Sequence, residues 1–113
     1  MKLLLDHCTP RPFGRLLVGH DVRTAFQMGW AKLQNGALLS AAAAEEFGAF
    51  ITVDRNLSFQ QNKGEMPLTV VALVVPDNKP QTLAPLVPGV LRVLNSGPQN
   101  RVYVIGPPER RGT

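Results

Sequence analysis

The chain has little of what would tie it to an oxidising compartment, a zinc site or a membrane. It holds a single cysteine, Cys8, among 113 residues. No internal disulfide can form, and nothing points to an oxidising environment. That cysteine and the only two histidines, His7 and His20, fall short of the regularly spaced ligands of a structural zinc site. His7 and Cys8 read as a loop histidine and a partly buried thiol, and His20 as structural. Long apolar runs are also missing. The longest, residues 68–75, is interrupted by Thr69 and is far shorter than the roughly 20 residues that cross a bilayer. The opening Lys2-Leu3-Leu4-Leu5 meets Asp6 too soon for the apolar centre of a signal peptide. A cytoplasmic protein with no membrane partner is expected. Acidic residues are outnumbered: 8 Asp and Glu against 12 Lys and Arg leave a formal net charge of +4. A basic balance favours polyanions or an acidic protein partner. The basic residues are scattered, however, as they also are on an ordinary solvated surface.

What is present is a folding pattern. The chain is 44% hydrophobic and 18% charged, and its length suits one domain with one core. We expect that domain over residues 1–106, followed by a disordered tail at 107–113. Lys2 to Leu5 reads as a strand buried on both faces. Thr9 can cap, and Pro10 can open, a helix running to Val18, with Phe13, Leu16 and Leu17 as its apolar stripe and Gly19 as its stop. His20 to Ala25 alternates as a second strand, with Val22 and Thr24 on one face. Residues 26–29 suit a helical turn, and Trp30 suits a connecting segment packed on the core. Asn35 suits an N-cap for a helix through the alanine run to about Phe47, with Gly48 as its stop. Further strands are expected at 50–53, 68–75 and 102–105, and an amphipathic helix at 83–95. Strands alternating with helices predict an α/β fold, a mainly parallel sheet flanked by helices on both faces.

Ligands of such sheets bind beyond the carboxyl ends of the strands. Two acids stand where strands are expected to end, Asp6 after the first and Asp54 after the third. Converging carboxylates repel, and a hard divalent cation such as Mg²⁺ or Mn²⁺ relieves that repulsion. Metal-assisted phosphodiester hydrolysis then becomes accessible. Each acid, taken alone, also suits a bland role: Asp6 as a cap for the following helix, Asp54 in a turn before Asn56. Glu45 and Glu46 near a helix end read as an exposed face. The polar run from Asp54 to Asn62 places Arg55 beside the candidate site, a side chain suited to phosphate recognition.

These stretches together resemble the PIN-like family, which includes short bacterial proteins akin to VapC-type toxins. The matching segments are Leu3-Leu4-Leu5-Asp6 with Pro10-Arg11, His20-Asp21-Val22-Arg23-Thr24, Met28-Gly29-Trp30-Ala31, Asn35-Gly36-Ala37-Leu38-Leu39, and Thr52-Val53-Asp54-Arg55-Asn56-Leu57 continuing to Gln60-Gln61-Asn62. The resemblance covers nearly the whole chain, in order. It implies a PIN-like three-layer sandwich and a Mg²⁺- or Mn²⁺-dependent endoribonuclease, the toxin of a toxin–antitoxin pair. Its partners would be an RNA substrate and a small antitoxin protein. It implies Asp6 and Asp54 as catalytic, metal-holding acids. In the nuclease hypothesis that goes with it, Arg11, Arg55, Asn56 and Asn35 contact substrate. It also implies a third acid in the 35–39 segment, where this chain has Ala37, and often a fourth at the position of Asn56. Alanine cannot hold a metal and asparagine offers only a neutral oxygen, so metal affinity should fall.

Two further readings stand beside the nuclease. One is a catalytically silent PIN-like protein that binds antitoxin or RNA. The other is a receiver-like domain with Asp54 as phospho-acceptor, which the lack of a lysine at the end of a late strand disfavours. The apolar helix at 83–94 leaves room for a homodimer.

Overall fold

A computed structural model describes residues 1–7, 9–33, 35–53 and 66–106. Its five strands are β1 (Lys2–Leu5), β2 (Asp21–Thr24), β3 (Ala49–Val53), β4 (Thr69–Leu73) and β5 (Val102–Ile105). They form one sheet in the order β2-β1-β3-β4-β5, and every neighbouring pair is parallel. The helices are α1 (Arg11–Gly14), α2 (Asn35–Ala44), α3 (Pro80–Leu83) and α4 (Val87–Leu94), with a 3-10 turn at Ala84–Leu86 between the last two. The α/β class and the parallel sheet are as expected. The proposed tail at 107–113 lies outside the described residues.

Successive strand residues point to opposite faces, and two apolar clusters result. Leu3, Leu5, Ile51, Val71 and Leu73 pack with Phe13 and Leu17 near α1 and with Leu83, Leu86, Val90 and Leu94 of the proline-rich helical segment. On the other face, Leu4, Phe50, Val70 and Ala72 pack with Leu38, Leu39 and Ala42 of α2. Trp30 joins this second cluster and meets the Phe47 ring edge-on, with centroids 5.9 Å apart. Helices on both sides make three layers. They also explain why β3 and β4, buried at every residue, read as continuous apolar runs rather than alternating ones.

Three helices differ from the expectation. The stretch expected as a helix from Pro10 to Val18 forms only the single turn of α1, followed by turns up to Gly19, whose φ is +89°. Gly14 explains the tight fit here: a Cβ on it would lie 2.8 Å from Val22 Cγ1 and 3.0 Å from Leu5 Cδ1. Leu16, expected in the apolar stripe, is exposed, while Phe13 and Leu17 are buried. The helix expected at 83–95 begins earlier, at Pro80, and is broken into α3, the 3-10 turn and α4. Pro85 and Pro88 lack the amide hydrogens that a continuous helix would use, and their rings crowd the preceding turn.

The third difference is the end of α2. Gly48 is not its stop. The helix ends at Ala44, and Glu46 takes a left-handed φ of +64°. The Phe47 amide donates to the Ala42 carbonyl at 2.9 Å and the Glu46 amide to Ala43 at 3.0 Å. This pairing is the Schellman closure, in which a left-handed residue lets two amides turn back onto the last turn. Phe47 and Ala42 supply its hydrophobic contact. The Lys2 ammonium donates to the Glu45 carbonyl at 3.0 Å, adding a cation where the helix dipole favours one.

Candidate functional site

The strand order reverses between β1 and β3. From β1 the chain first adds β2 on one side, then crosses over to add β3 on the other. At such a switch point the two flanking loops part, leaving a crevice beyond the carboxyl ends of the strands. Asp6 stands at this position, directly after β1. Its amide donates to the Ile51 carbonyl of β3 at 3.1 Å, so the residue is fastened to the neighbouring strand.

Two buried hydroxyls hold its carboxylate. Thr9 Oγ1 donates to Asp6 Oδ1 at 3.0 Å, and Thr52 Oγ1 donates to Asp6 Oδ2. Thr9 and Thr52 are 4% and 3% exposed, so both hydroxyls need protein partners. Thr9 Oγ1 also lies 3.3 Å from the Ile51 carbonyl, to which its hydrogen can be shared. One threonine comes from the loop after β1 and the other from β3, and together they fix the plane of the carboxylate. Thr52 has the same phase along β3 as Phe50, which places its bond to Asp6 on the α2 side of the sheet.

Sequence reasoning missed both threonines. Thr9 read as a cap for the first helix, but the N-cap of α1 is Pro10, with no side-chain cap bond. Asp6 likewise makes no cap there. The signal that could have found Thr52 is its place as the one polar residue of β3, since a hydroxyl inside an apolar strand must be paired.

His7 ties the next element to this edge. Its Nε2 donates to the Leu33 carbonyl at 3.1 Å, in the segment that leads into α2. Because a carbonyl can only accept, the bond requires the hydrogen on Nε2. The crossover after β2 must start at the carboxyl edge and return to the opposite one. The first turn of α2, with Asn35 and Ala37, therefore lies at the same edge as Asp6. Ala37 is exposed there. The Asn35 side chain lies outside the described residues. So do Asp54, Arg55 and Asn56; Asp54 is the residue that follows Val53, the last of β3.

Arg11 opens α1, and it borders a cleft between α1 and β2. Among the described residues no ion pair joins it to Asp6, and no cluster of three or more His, Cys, Asp or Glu side chains suited to a metal ion is found.

No protein-family model, curated protein or solved structure matches this chain. Among the described residues no helix is long and apolar enough to cross a membrane.

At this edge, then, a half-buried carboxylate is oriented by two buried hydroxyls, with a helix N-terminus alongside. The carboxylate and the hydroxyls offer hard oxygen atoms, while the helix N-terminus presents amide N–H groups.

Proposed function

We propose that the chain is a PIN-like, metal-dependent endoribonuclease, with Asp6 and Asp54 as its metal-holding acids. The observation that supports this reading is the Asp6 carboxylate, held by Thr9 and Thr52 at the switch point of the sheet. A carboxylate has about four acceptor sites, and two of them receive hydroxyl hydrogens. Holding it in one plane prepares it to orient a hydrated Mg²⁺ or Mn²⁺. When bound, such an ion would polarise a phosphoryl oxygen and acidify a water. Arg55, next in sequence to Asp54, and Arg11 would contact RNA phosphates, and Asn35 and Asn56 would add neutral polar contacts. A toxin role, with a small antitoxin as partner, rests on the sequence resemblance.

A second reading is favoured by Ala37. The position where the family pattern carries an acid is an exposed alanine in the first turn of α2. On this reading the same fold binds antitoxin or RNA without cutting it. The two hydroxyls then serve only to pin the loop after β1 to β3.

The deciding experiment compares Mn²⁺ binding and single-stranded RNA cleavage by this chain and by its Ala37→Glu and Asp6→Asn variants. A glutamate at 37 would be exposed and favourably placed near the helix N-terminus. Cleavage that strengthens with Ala37→Glu and disappears with Asp6→Asn is expected for the nuclease. Cleavage unaffected by Asp6→Asn would sink the catalytic assignment. No metal binding by any of the three chains would leave the silent binding protein.

A further inference from the structure

The α1 face of the sheet carries a second feature, a cleft of about 430 Å³ between α1 and the edge strand β2. It lies across the sheet from the bond between Thr52 and Asp6. Leu5 and Leu17 lie buried beneath it, and the exposed Val18 and half-buried Val22 offer its apolar surface. Its rim is rich in hydrogen-bond donors. Arg11 and Arg15 both border it. Arg15 is the C-cap of α1 and keeps helical angles, φ −68° and ψ −19°, so the two arginines stand one helical turn apart on one face. Neither is paired with a carboxylate among the described residues, where the ion pair found is Arg23 with Asp21. Among the described residues no acidic side chain lines the cleft.

Thr24 and Gln27 complete the rim. They form a reciprocal cap: the Thr24 amide donates to Gln27 Oε1 at 2.9 Å, and the Gln27 amide donates to Thr24 Oγ1 at 3.0 Å. Each side chain thereby commits one acceptor lone pair to the backbone, while the Gln27 amide hydrogens and the Thr24 hydroxyl hydrogen remain as donors. His20 also lines the cleft, and its Nδ1 is buried with no hydrogen-bond partner among the described residues. A buried polar atom left unpaired is costly, and a bound molecule could supply its partner.

We propose that this cleft binds a phosphomonoester of nucleotide size, with its phosphate between Arg11 and Arg15 and its body against Val18 and Val22. Two guanidiniums with no carboxylate partner among the described residues match the charge of about −2 that a phosphomonoester carries near neutral pH. The volume falls within the range of small-molecule sites, roughly 300–1,000 Å³, and is larger than an oxyanion alone would need. The phosphate could belong to a free nucleotide or to the 5′-phosphorylated end of an RNA strand. The proposal goes beyond the nuclease reading and stands whether or not Asp6 holds a metal.

The test is calorimetric titration of the full chain with AMP, adenosine and a 5′-phosphorylated single-stranded oligoribonucleotide. Saturable binding of a phosphorylated probe, with adenosine clearly weaker, is expected; the tighter of the two phosphorylated probes identifies the source. Arg15→Gln and Gln27→Glu should each weaken binding by about tenfold or more. Gln27→Glu keeps the oxygen that caps Thr24 and adds a repelling charge, so it probes the cleft with the turn intact. The His20 ring resonances should shift on binding. Three outcomes would overturn the proposal: no saturable binding of either phosphorylated probe, adenosine binding as tightly as AMP, or binding that both variants leave unchanged. Cleavage by the Asp6→Asn variant bears only on the acidic edge, so the two readings fail separately.

Discussion

Asp6 is held by its neighbours more firmly than a loop acid needs to be. Removing the Thr52 hydroxyl while keeping the side-chain shape tests how much that grip contributes. Thr52→Val should lower stability by about 1.5–3 kcal/mol, the usual worth of a hydrogen bond to a charged group. Thr52→Ser should restore most of it, and chemical denaturation of the three chains would read both effects. Equal stability of Thr52→Val and the parent would mean that the carboxylate is held by other groups. At this scale the sequence was only half legible. Asp6 could be found because it ends an apolar strand. Thr52 could not be assigned as its partner, because the strand register brings together residues 46 positions apart, and Thr9, three positions away, read equally well as a helix cap. A hydroxyl's need for a partner is visible in a sequence, but the partner is not.

Elements were most legible where a single cause set them. β1 and β5 lie at their expected residues because each is a short apolar run with a clear stop at both ends. The segment 80–94 was read correctly for its buried stripe but not for its continuity, because two prolines, Pro85 and Pro88, interrupt a pattern whose spacing still suits a helix. At the end of α2 the glycine at 48 drew attention two residues beyond the true stop. The left-handed residue is Glu46, and a side chain there carries a steric cost of roughly 1–2 kcal/mol that glycine avoids. Glu46→Gly should therefore raise the melting temperature, with a gain of about 1 kcal/mol in unfolding free energy. A lower melting temperature would show that the glutamate side chain contributes more than its backbone angle costs. Glu45 and Glu46 need no functional explanation: they stand in the exposed closure of a helix.

For the whole molecule, the sheet order predicts a gradient of local stability. β3 and β4 are buried at every residue and flanked by strands on both sides. β2 is an edge strand whose Asp21 and Arg23 side chains are about half exposed. Amide hydrogens of β3 and β4 should exchange only through the largest openings of the protein, while those of β2 exchange through smaller ones. Native-state exchange followed by mass spectrometry or nuclear magnetic resonance would show the difference. Uniform protection from β2 to β5 would mean that the sheet opens as one unit. The parallel architecture itself was legible because strand and helix patterns alternate through most of the sequence. The position of each strand in the sheet was not, since that depends on which side of β1 each crossover returns to.

The strand order also bears on how the protein is made. β1 leaves the ribosome first, β2 can then dock on one side of it, and β3, β4 and β5 can add in turn on the other. At every stage the newest strand meets an open edge, and no pair already formed has to separate to admit it. Assembly of the sheet can therefore keep pace with synthesis, one strand at a time, from β1 outward.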